Sequence, residues 1–340
     1  MVHIMTAIKF IEPSAQRILD TWPDVTVTLQ DLFWKRKNQH VEWLDKLIRW
    51  QALSEEESMR YGLCLPNGGA CADARTLAEL AHLAEEAGWD GVFLEDYIVW
   101  QGHQDAPTYD PWVALAAMAL RTERIRLGTQ VTPLSRRRPW KVARETVTLD
   151  HLSKGRLILG VGLGDTSIDV SFTHFAEVTD ARQRSRMLDE ALDVLVGLWS
   201  GQPFSYQGEH YQVSDITLLP RPVQTPRIPI WVGGAYPHKG ALRRAARWDG
   251  ACLYKIANAD MTPDDVRAMK AFIQDHRDSS APFDISVGGR QRGQDWEQER
   301  ALIRSLAEAG VTWWTEYIPP ETGGLDVVRA CVERGPLRMD

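Results

Sequence analysis

Residues 125–165 constrain this chain more than any other stretch. They read as strand, loop, helix, strand, loop. An apolar run through Ile125, Leu127 and Val131 comes first. Pro139 then opens a helical pattern, at the position where a missing N–H breaks no bond. That pattern carries Val142, Val147, Leu149 and Leu152 on one side and closes before Gly155. A second apolar run, residues 157–161, ends among Gly160, Gly162 and Gly164. Two apolar strands joined by one helix make a βαβ unit, so the sheet is at least partly parallel. Ligands of such sheets sit at the carboxyl ends of the strands. Here those ends are residues 130–132 and 162–165.

The same alternation recurs after Met59. Strand-like runs fall at residues 61–65, 91–95, 125–131, 157–161, 229–232, 251–254, 284–287 and 311–315, each followed by a helical pattern. Gly88 and Gly310 stand where helix C-terminal caps belong, just ahead of a strand. Eight repeats predict a (β/α)8 barrel, a TIM barrel, over a doubly wound sheet. The connection after the fourth strand is long, residues 163–227. It holds a helix and two alternating pieces around Gln207-Gly208, which predicts a hairpin insertion on the rim. Residues 1–58 stand apart as an N-terminal helical extension, with one amphipathic helix near residues 39–53, so the expected domains are 1–58 and 59–340.

Composition narrows the partners. The net charge of −7 argues against nucleic acid. No apolar run approaches the ~18 residues of a membrane span, and residues 1–10 lack a signal peptide's apolar stretch. The four cysteines show neither a CxxC pair nor zinc spacing, so no metal site is expected and a reducing, cytoplasmic setting is. Cys64, inside a strand pattern, reads as a buried thiol. Among 14 tryptophans, Trp100, Trp112 and Trp140 lie near strand ends, where they belong either to the core or to the wall of a flat ligand's site. Trp100 is the substrate-pocket candidate.

Several segments carry candidate chemistry. Gly162-Leu163-Gly164 lets backbone approach a ligand, yet lacks the spacing and following helix of a dinucleotide fingerprint. Gly233-Gly234 precedes a helix, with His238 and Lys239 between, which suits a phosphate. Arg136-Arg137-Arg138 reads first as a solvated face and second as a contact for an anionic tail. Asp96-Tyr97 and Asp165 end strands, and Glu95 beside them reads as structural.

These blocks, in order, resemble the bacterial luciferase-like family of flavin- or deazaflavin-dependent oxidoreductases. The resemblance rests on Tyr61-Gly62-Leu63 with Pro66, residues 87–92, Leu127-Gly128-Thr129 through Pro133, residues 143–164, residues 206–211, and residues 229–234 followed by AARWDG. It spans about residues 59–250. It implies a (β/α)8 barrel with the cofactor at the carboxyl mouth and a non-prolyl cis peptide at Gln130-Val131 behind the cofactor ring. Cofactor contacts are then expected at Thr129, Gln130, Val131, Gly162, Gly164, Gly233, Gly234, His238 and Lys239, and catalytic roles at Tyr97, Asp96 and Asp165. Deazaflavin-dependent relatives often place His where Tyr97 stands. That departure favours reduced FMN with oxygen, a monooxygenase served by a separate flavin reductase. The arginine run favours the alternative, hydride transfer with the deazaflavin coenzyme F420. A non-catalytic flavin-binding protein is a third reading. A small organic substrate and a homodimer complete the expectation.

Overall fold

The computed structural model describes residues 59–69, 72–319 and 323–339. The expected extension 1–58, its helix at 39–53 and Cys71 lie outside these residues. In chain order the elements begin β1 (Arg60–Leu65), α1 (Ala74–Glu86), β2 (Gly91–Leu94), α2 (Pro111–Arg121), β3 (Arg126–Pro133), α3 (Pro139–Leu152) and β4 (Leu157–Gly162). The insertion follows: α4 (Ser171–His174), α5 (Ala181–Trp199), β5 (Phe204–Gln207) and β6 (Gln212–Ile216). Then come β7 (Ile230–Tyr236), α6 (Lys239–Ala246), β8 (Gly250–Lys255), α7 (Pro263–His276), β9 (Asp284–Arg290), α8 (Trp296–Ala309), β10 (Trp313–Tyr317) and α9 (Leu325–Glu333).

Eight parallel strands close into a barrel in the order β1-β10-β9-β8-β7-β4-β3-β2. Closure excludes the doubly wound sheet and brings every strand's carboxyl end to one rim. Alternate residues of each strand separate two cores. One set, including Leu63, Val92, Leu127, Leu159, Val232 and Val287, packs with the helices. The other fills the barrel: Phe93, Ile158, Trp231, Cys252 and Trp313, with Val131 against them. Phe93, Trp231 and Trp313 meet with ring centroids 5.3–5.8 Å apart, so the lower interior is a solid aromatic plug. What can receive a ligand is the mouth above it.

Local sequence explains the ends of the elements. Pro139 stands at the start of α3 as its position predicts. Gly310 ends α8 with φ of 114°, a conformation that favours glycine. Trp-Asp-Gly occurs twice ahead of strands. Asp90 accepts the Tyr61 N–H at 2.8 Å and Asp249 accepts the Ile230 N–H at 2.9 Å, so each ties the preceding strand to the one it opens. The hairpin β5·β6 forms around Gln207-Gly208 as expected. The Glu190 carboxylate accepts the backbone N–H groups of Glu209, His210 and Tyr211 at 2.9–3.1 Å and holds its turn. Among the described residues no helix is long and apolar enough to cross a membrane.

Cys64 and Cys252 both lie buried in the barrel wall. Burial pushes the Cys64 thiol well above its ordinary range and the Cys252 thiol up to about 12. Iodoacetamide at pH 8 should leave both unmodified in the folded protein and label both in denaturant, read by peptide mass spectrometry. Labelling of either in the folded state would contradict the packing.

Candidate functional site

The mouth is organised around the head of β3. The peptide Gln130–Val131 is cis, as the family resemblance implies. The β3·β4 register slips there, with Thr129 opposite Leu159 but Thr132 opposite Val161, so β3 holds one extra residue. Thr129 is buried, and its hydroxyl donates to the Gly160 carbonyl at 2.9 Å. Any side chain at Gly160 would collide with the Thr129 carbonyl. The Val131 side chain turns into the barrel, between Gly162 of β4 and Gly233 of β7. A Cβ at either glycine would stand 2.7 Å from a Val131 methyl group. Val131 is therefore a raised apolar platform fitted between two glycines. Gly164 (φ 76°) lies against the ring of Phe172, which leaves no room for a side chain.

Beneath the rim lies a buried ion cluster. Asp96 sits one residue past the inward-facing end of β2, so its carboxylate points away from the mouth, into the layer between strands and helices. It meets Arg137 through two hydrogen bonds of 2.9 and 2.6 Å and approaches Arg136 at 3.5 Å. Arg136 also donates to the Asp96 carbonyl, to Asp169 and to the Ser171 hydroxyl. The side chains of Asp96, Arg136 and Asp169 are at most 2% exposed. This corrects two expectations. Arg136 and Arg137 form neither a solvated face nor a free anion site, because carboxylates already neutralise them. Asp96 is committed to them and does not face the reacting space. Arg138 alone is exposed, 6.0 Å from the Trp140 ring.

Tyr97 follows Asp96 on the rim. Its carbonyl accepts from the Asn67 amide at 2.8 Å, which anchors the loop after β2 to the loop after β1. Burial first, then the charges of Glu95, Asp169 and Asp165, raise its phenol above the ordinary tyrosine range, so it remains a donor. Glu95, at an inward register position, accepts from the Tyr317 hydroxyl at 3.2 Å, and that hydroxyl accepts from Gln101 at 3.4 Å. Asp165 is exposed and accepts from the N–H and hydroxyl of Ser167. Its charge also acts on Tyr254 of β8, so the ends of β2, β4 and β8 converge.

Gly233 and Gly234 prove to lie within β7, which continues to Tyr236, and not in the turn before the helix. A Cβ at Gly234 would stand 2.6 Å from the Ala241 Cβ, so this glycine lets α6 approach the strand. His238 is the N-cap of α6 without a side-chain cap, and His238 and Lys239 are both exposed at that helix start. Of the three tryptophans, Trp112 packs in the core. Trp140 is exposed and meets Tyr211 edge to face at 6.3 Å. Trp100 is buried on the rim, stacked on His103 at 5.5 Å and packed over Gly68.

The residues fit a flat aromatic cofactor. Val131 offers an apolar support, glycines border it, and Gln130 Oε1 and Asn67 Oδ1 are buried without a hydrogen-bond partner. The sequence did not single out Asn67, Asp169, Phe172 or Arg184. Arg184, on α5, donates to the Leu163 and Gly164 carbonyls at 2.7 and 2.8 Å and lies over the Phe172 ring at 5.0 Å. One of three arginines in the first turns of an amphipathic helix carries no local signal. Asn67 did carry one, as a polar residue two positions past the apolar first strand.

Asp96→Asn should cost about 3–5 kcal/mol, because it leaves buried guanidinium charge uncompensated. Denaturant unfolding measures this, and a change under 1 kcal/mol would remove the cluster's structural role.

Comparison with known proteins bears on the fold and the family. Over 176 residues the chain is 39% identical to an F420-dependent glucose-6-phosphate dehydrogenase of Microbacterium testaceum. That match covers 50% of this chain and 49% of that enzyme, so the chain spans about half the length of the relatives it matches. Among solved structures, an F420-dependent secondary alcohol dehydrogenase in complex with an F420-acetone adduct superposes with a TM-score of 0.66 at 18% identity, over 82% of this chain and 99% of that one. Monooxygenase RslO1 from Streptomyces bottropensis gives 0.61 at 22% identity, over 81% and 96%. These two likenesses show the fold. A model of the family described as luciferase-like monooxygenase matches residues 59–311, the barrel from its first strand to the start of its last, and the chain belongs to that family.

Proposed function

We propose that this protein is an oxidoreductase that transfers hydride between a small organic substrate and coenzyme F420. The observation that carries the proposal is the Val131 platform between Gly162 and Gly233, a flat support at the mouth with an orphaned amide oxygen beside it. The choice of F420 over FMN rests on the relatives named above, two of which are F420-dependent by name. FMN with oxygen, favoured on the sequence through Tyr97, is the second reading.

When bound, the deazaflavin supplies a two-electron hydride acceptor or donor. Val131 would support its ring between Gly162 and Gly233. Exposed N–H groups at the start of α6, with Lys239 and His238, would hold its phosphate. Tyr97 donates a hydrogen bond to the substrate oxygen. The Asp165 carboxylate would take the proton from that oxygen. Trp100 walls the pocket, and Asp96 acts only by holding the arginines that position this rim.

Titration of the protein with F420 and with FMN, followed by air exposure of the reduced forms, tests the choice. Preferred binding of F420 without oxygen consumption supports it. Preferred binding of FMN with oxygen consumption would replace it with the monooxygenase. Gly162→Ala should weaken cofactor binding at least tenfold, because the added methyl displaces Val131.

Tyr97→Phe should lower turnover about 100-fold, the low end of general-acid effects, with cofactor affinity unchanged. Because burial raises the Tyr97 pKa, the donor persists as pH rises, and turnover should hold level to about pH 10, where an unperturbed tyrosine would ionise. A fall centred well below that pH would assign the donor role to another group.

A further inference from the structure

The residues that would hold the cofactor run from α6, past β7 and β4, to Val131 on β3. In the barrel order this leaves the arc of β8, β9, β10, β1 and β2 to meet the substrate. The positive charge on that arc is already matched. Lys255, closing β8, lies 2.6 Å from Asp265. Arg290, closing β9, lies 2.9 Å from Asp260 and 3.0 Å from Glu299. Arg292, in the next loop, lies 2.6 Å from Glu316, both fully buried. The loops after β1, β2, β8 and β10 add no Lys or Arg, and neither do residues 70–71 and 320–322 within them. His103 is engaged in its stack on Trp100.

Apolar side chains face outward on the same arc. Ile98 and Tyr109 follow β2, while Tyr254 and Ile256 belong to the end of β8, and all four are between 42% and 53% exposed. The polar groups in these loops are uncharged, as at Asn67, Tyr97, Gln101, Gln104, Thr108 and Tyr317, or acidic, as at Glu95 and Asp105, apart from the stacked His103. A phosphorylated sugar arriving here would exchange water for carboxylates and paired cations, with nothing to offset its own charge. An alkyl chain would instead bury exposed apolar surface.

We infer that the mouth accepts an uncharged, largely apolar alcohol or its carbonyl counterpart and excludes sugar phosphates, because every cation at the carboxyl ends of β8 and β9 is paired while large apolar side chains stand exposed beside them. The inference rests on the cofactor placement proposed above. It separates this chain from the glucose-6-phosphate dehydrogenases it matches over half its length.

Calorimetric titration of the full-length protein, with and without F420, tests it using 2-propanol, 2-butanol, 2-hexanol, glucose 6-phosphate and inorganic phosphate as probes. Affinity should rise about three- to fourfold per added methylene, with no saturable binding of either phosphate. Saturation by glucose 6-phosphate with no gain along the alcohol series would overturn the inference while leaving F420 binding intact. Failure to bind F420 together with the alcohol gain would overturn the cofactor reading and leave the apolar mouth standing. Asp265→Asn keeps a capping side chain at α7 but releases Lys255. It should produce saturable binding of glucose 6-phosphate where the parent protein shows none, and no gain would overturn the part assigned to that pair. In the loaded enzyme, F420 reduction should follow the same alcohol order.

Discussion

Asp96 holds two guanidinium groups in a space from which water is excluded, and the geometry of the mouth depends on that. Three rim loops, after β2, β3 and β4, meet at this carboxylate through Arg136, Arg137, Asp169 and Ser171. Charges buried to this degree tolerate no partial arrangement. Breaking one contact leaves a charge that neither solvent nor protein balances. The loops that present Tyr97 and Asp165 are thus set by a cluster facing away from them, and Phe172, between Arg136 and Arg184, extends it into the insertion.

Much of the architecture was legible in the sequence. Apolar runs at eight regular intervals, glycine caps and Pro139 gave strand count, closure and insertion, because these are local signals repeated many times. The ends of strands were less legible. β7 runs on through Gly233 and Gly234, since glycines weaken a strand's pattern without ending the strand when a helix or a neighbouring valine needs the space. The arginine run misled for a related reason. Charge in sequence reads as solvent, and only the fold shows that Asp96 and Asp169, distant in sequence from each other, converge on Arg136.

The cofactor question shows where residue identity runs out. Tyr97 in place of His pointed to FMN, whereas the relatives point to F420. The arginines that seemed to welcome an anionic tail are spent inside the protein, so neither local argument decides the matter. Val131 between its two glycines makes a flat apolar support that suits a ring of either kind.

The barrel's seam joins β1 to β10, the first and last of its strands, with Tyr61 opposite Trp314. A ring closed in this way has no half-made version. Until β10 is in place, β1 and β9 each present an open row of unpaired backbone groups, the kind of edge that invites association with other chains. The aromatic plug is incomplete for the same interval, because Trp313 is its last member. During synthesis, the floor of the barrel, the seam and the carboxyl mouth all wait on one five-residue strand, the last of the eight to emerge.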